Sequence, residues 1–144
     1  MAEIGLAASI IAVIQITASV VKQAHKYGQS VKTASGDMAR ILDQLKDVER
    51  ILGKLKDLVD RETKAGKPLD SWPTLVCLNS PDSALEHCRL AMTALCVDLT
   101  PAEGFAKYTQ RARWPLTKKK VKQRLERVEK SKSIFLTLLN VEHM

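Results

Sequence analysis

Aromatic residues, glycine and proline are scarce in this chain: its 144 residues include two Trp, two Tyr, two Phe, six Gly and five Pro. Disorder is excluded all the same, because 45% of the residues are hydrophobic, enough in a chain of this length to bury a real core. Those residues are mostly Leu, Ile, Val and Ala, which suits helices. The class this predicts is all-α, a helical bundle of four to five helices forming one domain over residues 1–144. Cysteine is scarce too. Cys77, Cys88 and Cys96 are odd in number and lack any CxxC or Cys/His ligand spacing, so they read as reduced thiols in a cytoplasmic protein. No P-loop, GxGxxG, HExxH, GxSxG or zinc-type spacing occurs, and His25, His87 and His143 are scattered. His87 adjoins Cys88, but neighbouring helical residues point about 100° apart and do not face each other. The sequence therefore predicts no catalytic residue, no cofactor and no metal, and a protein that is not an enzyme.

The most informative absence is local. Ile4 to Val21 is an unbroken run of eighteen residues without a formal charge, set between Glu3 and Lys22. As a helix it spans roughly 27 Å, slightly less than the ~30 Å hydrocarbon layer of a bilayer. A secretory signal would open on positive charge and end at a small-residue cleavage site, whereas this chain begins Met-Ala-Glu and runs on into Lys22, Gln23 and His25. A permanent anchor is disfavoured by Ser9, Gln15, Thr17 and Ser19, which dilute the run. Two of its sides are apolar. Leu6, Ile10, Val13, Val20 and Ala24 follow one helical stripe, and Ile4, Ile11, Ile14, Ala18 and Val21 follow another. The expectation is a first helix over about 2–31, covered on most sides in the soluble state. Gly5, Ile16 and the apolar residues of both stripes, Ile4, Leu6, Ile10, Ile11, Val13, Ile14, Val20 and Val21, are then the candidates for membrane insertion.

Further along, Met38, Ile41, Leu45, Val48, Leu52, Leu55 and Val59 step by threes and fours, with Leu42, Ile51 and Leu58 widening the stripe. They predict a second helix with Asp37 as its cap or in its first turn, pair-forming spacings at Asp43/Asp47, Lys46/Arg50 and Asp57/Arg61, and an end near Ala65 and Gly66. Pro68, Trp72 and Pro73 mark a loop, with Trp72 expected to plug one end of the bundle. Ser80-Pro81-Asp82 offers an N-cap followed by Pro for a third helix on Leu85, Cys88, Met92, Leu95 and Leu99. Thr100-Pro101-Ala102-Glu103 has capping-box spacing and opens a short segment through Phe105 and Tyr108. Trp114-Pro115 is expected to close that segment, and Thr117 to cap a last helix on Val121, Leu125, Val128, Phe135 and Leu139.

Charge is as uneven as hydropathy. Of the net +7, the segment 107–132 holds eleven Lys and Arg against two Glu, a net +9, which leaves −2 for the remainder. Such concentration points to an anionic partner surface. The candidate anionic-lipid patch is Arg111, Arg113, Lys118, Lys119, Lys120, Lys122, Arg124, Arg127 and Lys130. Nucleic acid would use the same charge, but it leaves the apolar start unexplained and finds only Tyr108 and Trp114 nearby for stacking, so no nucleic-acid partner is expected.

The opening MAEIGLAASIIAVIQITASVV, the amphipathic second helix and the closing WPLTKKKVKQRLERVEKSKSIFLTLLNV together resemble the HeLo-like amino-terminal domains of fungal signal-transducing (STAND) ATPases, the fungal counterparts of NOD-like receptors. That resemblance implies a cell-death effector of the kind that acts in fungal incompatibility and innate immunity, similar in plan to the four-helix killer domain of mixed-lineage kinase domain-like protein. It implies self-association on activation, entry of the first helix into the membrane, and relocation from the cytoplasm to the plasma membrane or another cell membrane. It also implies that this domain is the amino-terminal part of a longer protein, partnered by a NACHT or NB-ARC type module or by an amyloid-signalling receptor. The alternative is a protein-interaction or oligomerisation module without membrane activity.

Overall fold

The computed structural model describes residues 2–64, 66, 78, 83–100 and 106–142, without the side chains of 2–4, 33, 63, 106–112 and 141–142. The described residues form four α-helices, α1 (Ala2–Ser30), α2 (Ser35–Lys64), α3 (Ala84–Asp98) and α4 (Ala106–Glu142), and no strand. A 3-10 turn, Lys32–Ala34, reverses the chain between α1 and α2, closed by hydrogen bonds from Val31 N–H to Tyr27 O (2.8 Å) and Ala34 N–H to Val31 O (2.9 Å). This is an all-α bundle with a strongly apolar first helix, as the composition and periodicity predict.

One expected stripe on each helix is buried: Leu6, Ile10, Val13, Val20 and Ala24 on α1, Met38, Ile41, Leu45, Val48, Leu52, Leu55 and Val59 on α2, Leu85, Cys88, Met92, Leu95 and Leu99 on α3, and Val121, Leu125, Val128, Phe135 and Leu139 on α4, while Leu42 at the edge of the α2 stripe is half-buried. Thr17 lies on the α1 stripe as well, fully buried, its hydroxyl donating to the carbonyl of Val13 at 2.7 Å, which removes the cost of an unpaired polar group. Gly28 permits a close approach of α1 to α2, since an added Cβ there would lie 3.1 Å from the Cβ of Met38. Helix α2 stops where the sequence predicts: after Lys64 the chain reaches Gly66 at φ 75°, the left-handed conformation glycine adopts without a Cβ penalty.

Three expectations change at helix ends and on helix surfaces. The α3 cap is Ser83, whose hydroxyl accepts from the Glu86 N–H at 3.2 Å, three residues beyond the expected Ser80. On α2, Asp47 pairs with Arg50 and Lys56 with Asp60, neither of them a pair the spacing predicts. Helix α4 is continuous through Trp114 and Pro115, where the sequence predicts a break before Thr117. Pro115 supplies no N–H to the carbonyl four residues earlier, at a cost of about 3 kcal/mol in a helix interior. Tertiary contacts at the same level outweigh that cost. The Trp114 side chain is buried against Tyr27 of α1, ring centroids 5.4 Å apart, and its indole N–H donates to Asp37 of α2 at 3.1 Å. Trp72, Cys77, the Ser80-Pro81-Asp82 start, and Pro101 to Phe105 lie outside the described residues.

The helices alternate in direction, and α1 packs on α2 and α3 while α4 packs on α3 and, more loosely, on α2. Helices α1 and α4 therefore occupy diagonal corners, joined through the Tyr27–Trp114 ring contact.

Candidate membrane interface

The corner position of α1 decides how much of it is covered. Only 28% of its most apolar window is buried, which corrects the expectation of a helix sheathed on most sides. Two neighbouring helices cover one stripe and leave the other face to solvent. Of the insertion candidates, Leu6, Ile10, Val13 and Val20 face the core, Ile14, Ile16 and Val21 are half-buried, and Gly5 and Ile11 are exposed. The Ile4 side chain lies outside the described residues. Ala8, Ser9, Gln15, Ala18 and Ser19 are exposed with Ile11, so the open face is uncharged, small and weakly polar until Lys22. Burying this face against water is unnecessary, and burying it in another apolar medium carries no charge penalty.

On α4 the basic segment divides into three sets. Lys118 pairs with Asp37 at 3.3 Å, and Arg124 lies 3.5 Å from Asp98 on α3. Lys132, which adds to the +9 of the segment, turns inward to Asp47 (3.1 Å) and Glu129 (2.9 Å). These three tie α4 to its neighbours. Lys122 shares the α2–α4 groove with Glu126 and Glu129, so its surroundings are mixed in sign. Arg113, Lys119, Lys120, Arg127 and Lys130 remain exposed, without an ion pair among the described residues. The Arg111 side chain lies outside the described residues.

Asp37 links these features. It stands in the first turn of α2, where the helix dipole favours a negative charge. The Trp114 indole, and after it Lys118, holds its carboxyl below the usual range. Lys132 hydrogen-bonds Glu129 and Asp47, which pushes its ammonium up. Burial raises the Tyr27 phenol, against a smaller opposing effect of the Thr117 hydroxyl. Thr117 is thus inside α4 beside Tyr27 and not the cap expected of it.

Clefts flank α4 on both its α2 and its α3 side. The one shared with α2, about 360 Å³, has an apolar floor of Ile41, Val121 and Leu125. The one shared with α3, about 580 Å³, brings Leu90 and Ile134 beside Arg127 and Lys130. The exposure of Leu90 and Ile134, and of Val97 and Leu116, was missed from the sequence. Its signal is present: these residues fall off the apolar stripes of their helices, 90 and 97 two turns apart on α3, and 116 and 134 inside or beside the basic segment. Among the described residues, no group of three or more His, Cys, Asp or Glu could hold a metal ion.

Compared with protein-family models, curated proteins and solved structures, the chain matches none of them.

Proposed function

We propose that this chain is a membrane-targeting cell-death effector domain, in which exposed bases collect the bundle on anionic lipid and α1 then inserts and permeabilises the bilayer. The observation that carries the reading is the open, uncharged face of α1 around Ile11, on a helix of membrane-spanning length that its neighbours cover on one side only. The five exposed bases of α4 support it, because an anionic leaflet attracts each by about 1 kcal/mol near its surface. The resemblance to HeLo-like domains agrees with it, and implies a working site at a cell membrane reached from the cytoplasm after self-association, downstream of a NACHT or NB-ARC type or amyloid-signalling partner. The diagonal arrangement adds a condition: one flat membrane cannot meet the outer faces of α1 and α4 together, so α1 leaves the bundle to insert.

Dye leakage from phosphatidylserine-containing vesicles tests the reading through Ile11→Asp. Ile11 is 37% exposed, so the substitution is expected to leave the bundle folded and to abolish leakage. Ile10, fully buried one position away, would confound the assay, because an unpaired charge in the core costs several kcal/mol of stability. Wild-type leakage from folded Ile11→Asp protein would remove the insertion step. The second reading, a protein-interaction module, draws on the α2–α4 groove with its apolar floor and charged rim. Co-sedimentation no stronger with anionic than with neutral vesicles would favour it.

A further inference from the structure

We infer that the bundle first meets an anionic bilayer with the face shared by α3 and α4, where Leu90, Val97, Leu116 and Ile134 enter the headgroup layer and Lys119, Lys120, Arg127 and Lys130 hold lipid phosphates. This rests on the membrane reading above and names the docking surface that reading lacks.

Apolar exposure supplies the first ground. Six large apolar side chains are exposed among the described residues; Leu90 (51%) and Ile134 (48%) line the α3–α4 cleft beside Arg127 and Lys130, Leu116 (66%) shares a helix face with Ile134 five turns away, and Val97 (72%) lies two turns from Leu90 on α3. Single exposed apolar residues need no explanation, but a set gathered among free cations does. Charge supplies the second. The acids of α4, Glu126 and Glu129, line the groove on the α2 side, whereas the α3-side cleft is lined by Arg127 and Lys130 with no acid. Helix α4 is thus mixed in sign along one flank and basic along the other.

Spacing selects a bilayer as the occupant. Leu116 and Ile134 stand eighteen residues apart on one helix, roughly 27 Å, with Lys119, Lys120, Arg127 and Lys130 between them. The Arg124–Asp98 pair brings the end of α3, and Val97 with it, to the middle of that span. Separated apolar knobs with bases interleaved fit a fluid interface, which closes around each one, while the basic stems lie along the acyl boundary and their heads reach phosphate. A folded acidic partner would need a pocket for each knob. Docking on this face leaves α1 at the far corner of the bundle, so docking and insertion are separate steps with separate residues.

Vesicle flotation and dye leakage, run on the same protein at low and at about 0.3 M salt, separate those steps. Val97→Ser/Leu116→Ser, whose melting midpoint should match wild type because both residues are exposed, is expected to bind phosphatidylserine vesicles at least about tenfold more weakly and to leak correspondingly less. Ile11→Asp is expected to float as wild type does and to release no dye. If the first pair alters folding, Leu90→Ser/Ile134→Ser serves in its place. Wild-type flotation retained by the folded face variant, or lost in Ile11→Asp, overturns the docking assignment and leaves the membrane reading standing. Absence of wild-type binding to anionic vesicles overturns both. Wild-type binding to soluble polyglutamate, lost in the face variant, with none to vesicles, assigns the face to an acidic protein instead.

Discussion

Asp37 is one of two α2 carboxylates that hold α4, and through Trp114 it also reaches the end of α1, so its removal tests how firmly the bundle is closed. Asp37→Ala strands the Trp114 indole N–H, which donates to the carboxylate at 3.1 Å from a side chain only 4% exposed. A buried donor left without its partner costs about 1–3 kcal/mol. Loss of a negative charge from the first turn of α2 adds about 0.5 kcal/mol. The Lys118 pair adds almost nothing, its lysine being 56% exposed. The total is about 1.5–3.5 kcal/mol, or roughly 5–12 °C in melting midpoint for a chain of this size. Asp37→Asn keeps an acceptor for the indole and loses only the charge, so about 0.5 kcal/mol is expected. The pH dependence has a definite sign. The folded carboxyl lies below its unfolded value near ~3.9, so the charge contributes fully above about pH 5 and the contribution fades as pH falls through the folded value. Urea unfolding of wild type and both variants at pH 7, with wild type and Asp37→Asn repeated at about pH 3, measures all of this. Equal midpoints for the alanine and asparagine variants would refute the role of the indole bond. A wild-type to asparagine gap as large at pH 3 as at pH 7 would refute the role of the charge. In the function proposed above, α1 inserts only after the bundle opens, so that proposal expects Asp37→Ala to reach half-maximal leakage at several-fold lower protein concentration.

Pro115→Ala restores the backbone donor that α4 lacks at mid-length, so it is expected to raise stability by about 1–2 kcal/mol in urea unfolding; a lower midpoint would show that α4 is not one continuous helix. Burial pushes the Cys88 thiol up to about 12, leaving almost no thiolate at pH 8. An aromatic disulfide reagent should therefore modify Cys88 only as fast as the bundle opens, and Cys96, which is half-buried, sooner. Equal rates at the two sites in fully native protein would contradict the packing of α3.

Helix positions and core faces were legible in the sequence because they depend on local spacing. On α2, α3 and α4 the residues that step by threes and fours are the ones that face the core, and on α1 one of the two such stripes does. Gly66 ends α2 for a reason contained in the residue itself. Failures occurred where a distant contact outweighed a local rule. Trp114-Pro115 reads as a helix break, and it is overridden by Tyr27, about ninety positions earlier in the chain, and by Asp37. The basic segment reads as one ridge, yet Asp37, Asp98 and Asp47 on two other helices claim Lys118, Arg124 and Lys132.

The sequence by itself determined that this is an all-α bundle, that its charge is concentrated between residues 107 and 132, and that its first helix is uncharged for eighteen residues. Those are properties of composition and period, which no neighbour can alter. Only the tertiary structure decided which side of that helix stays open, which cations remain unpaired and that the two features sit on diagonal corners. A helix packed against two others buries one stripe whatever its composition, and which stripe that is depends on where its partners lie.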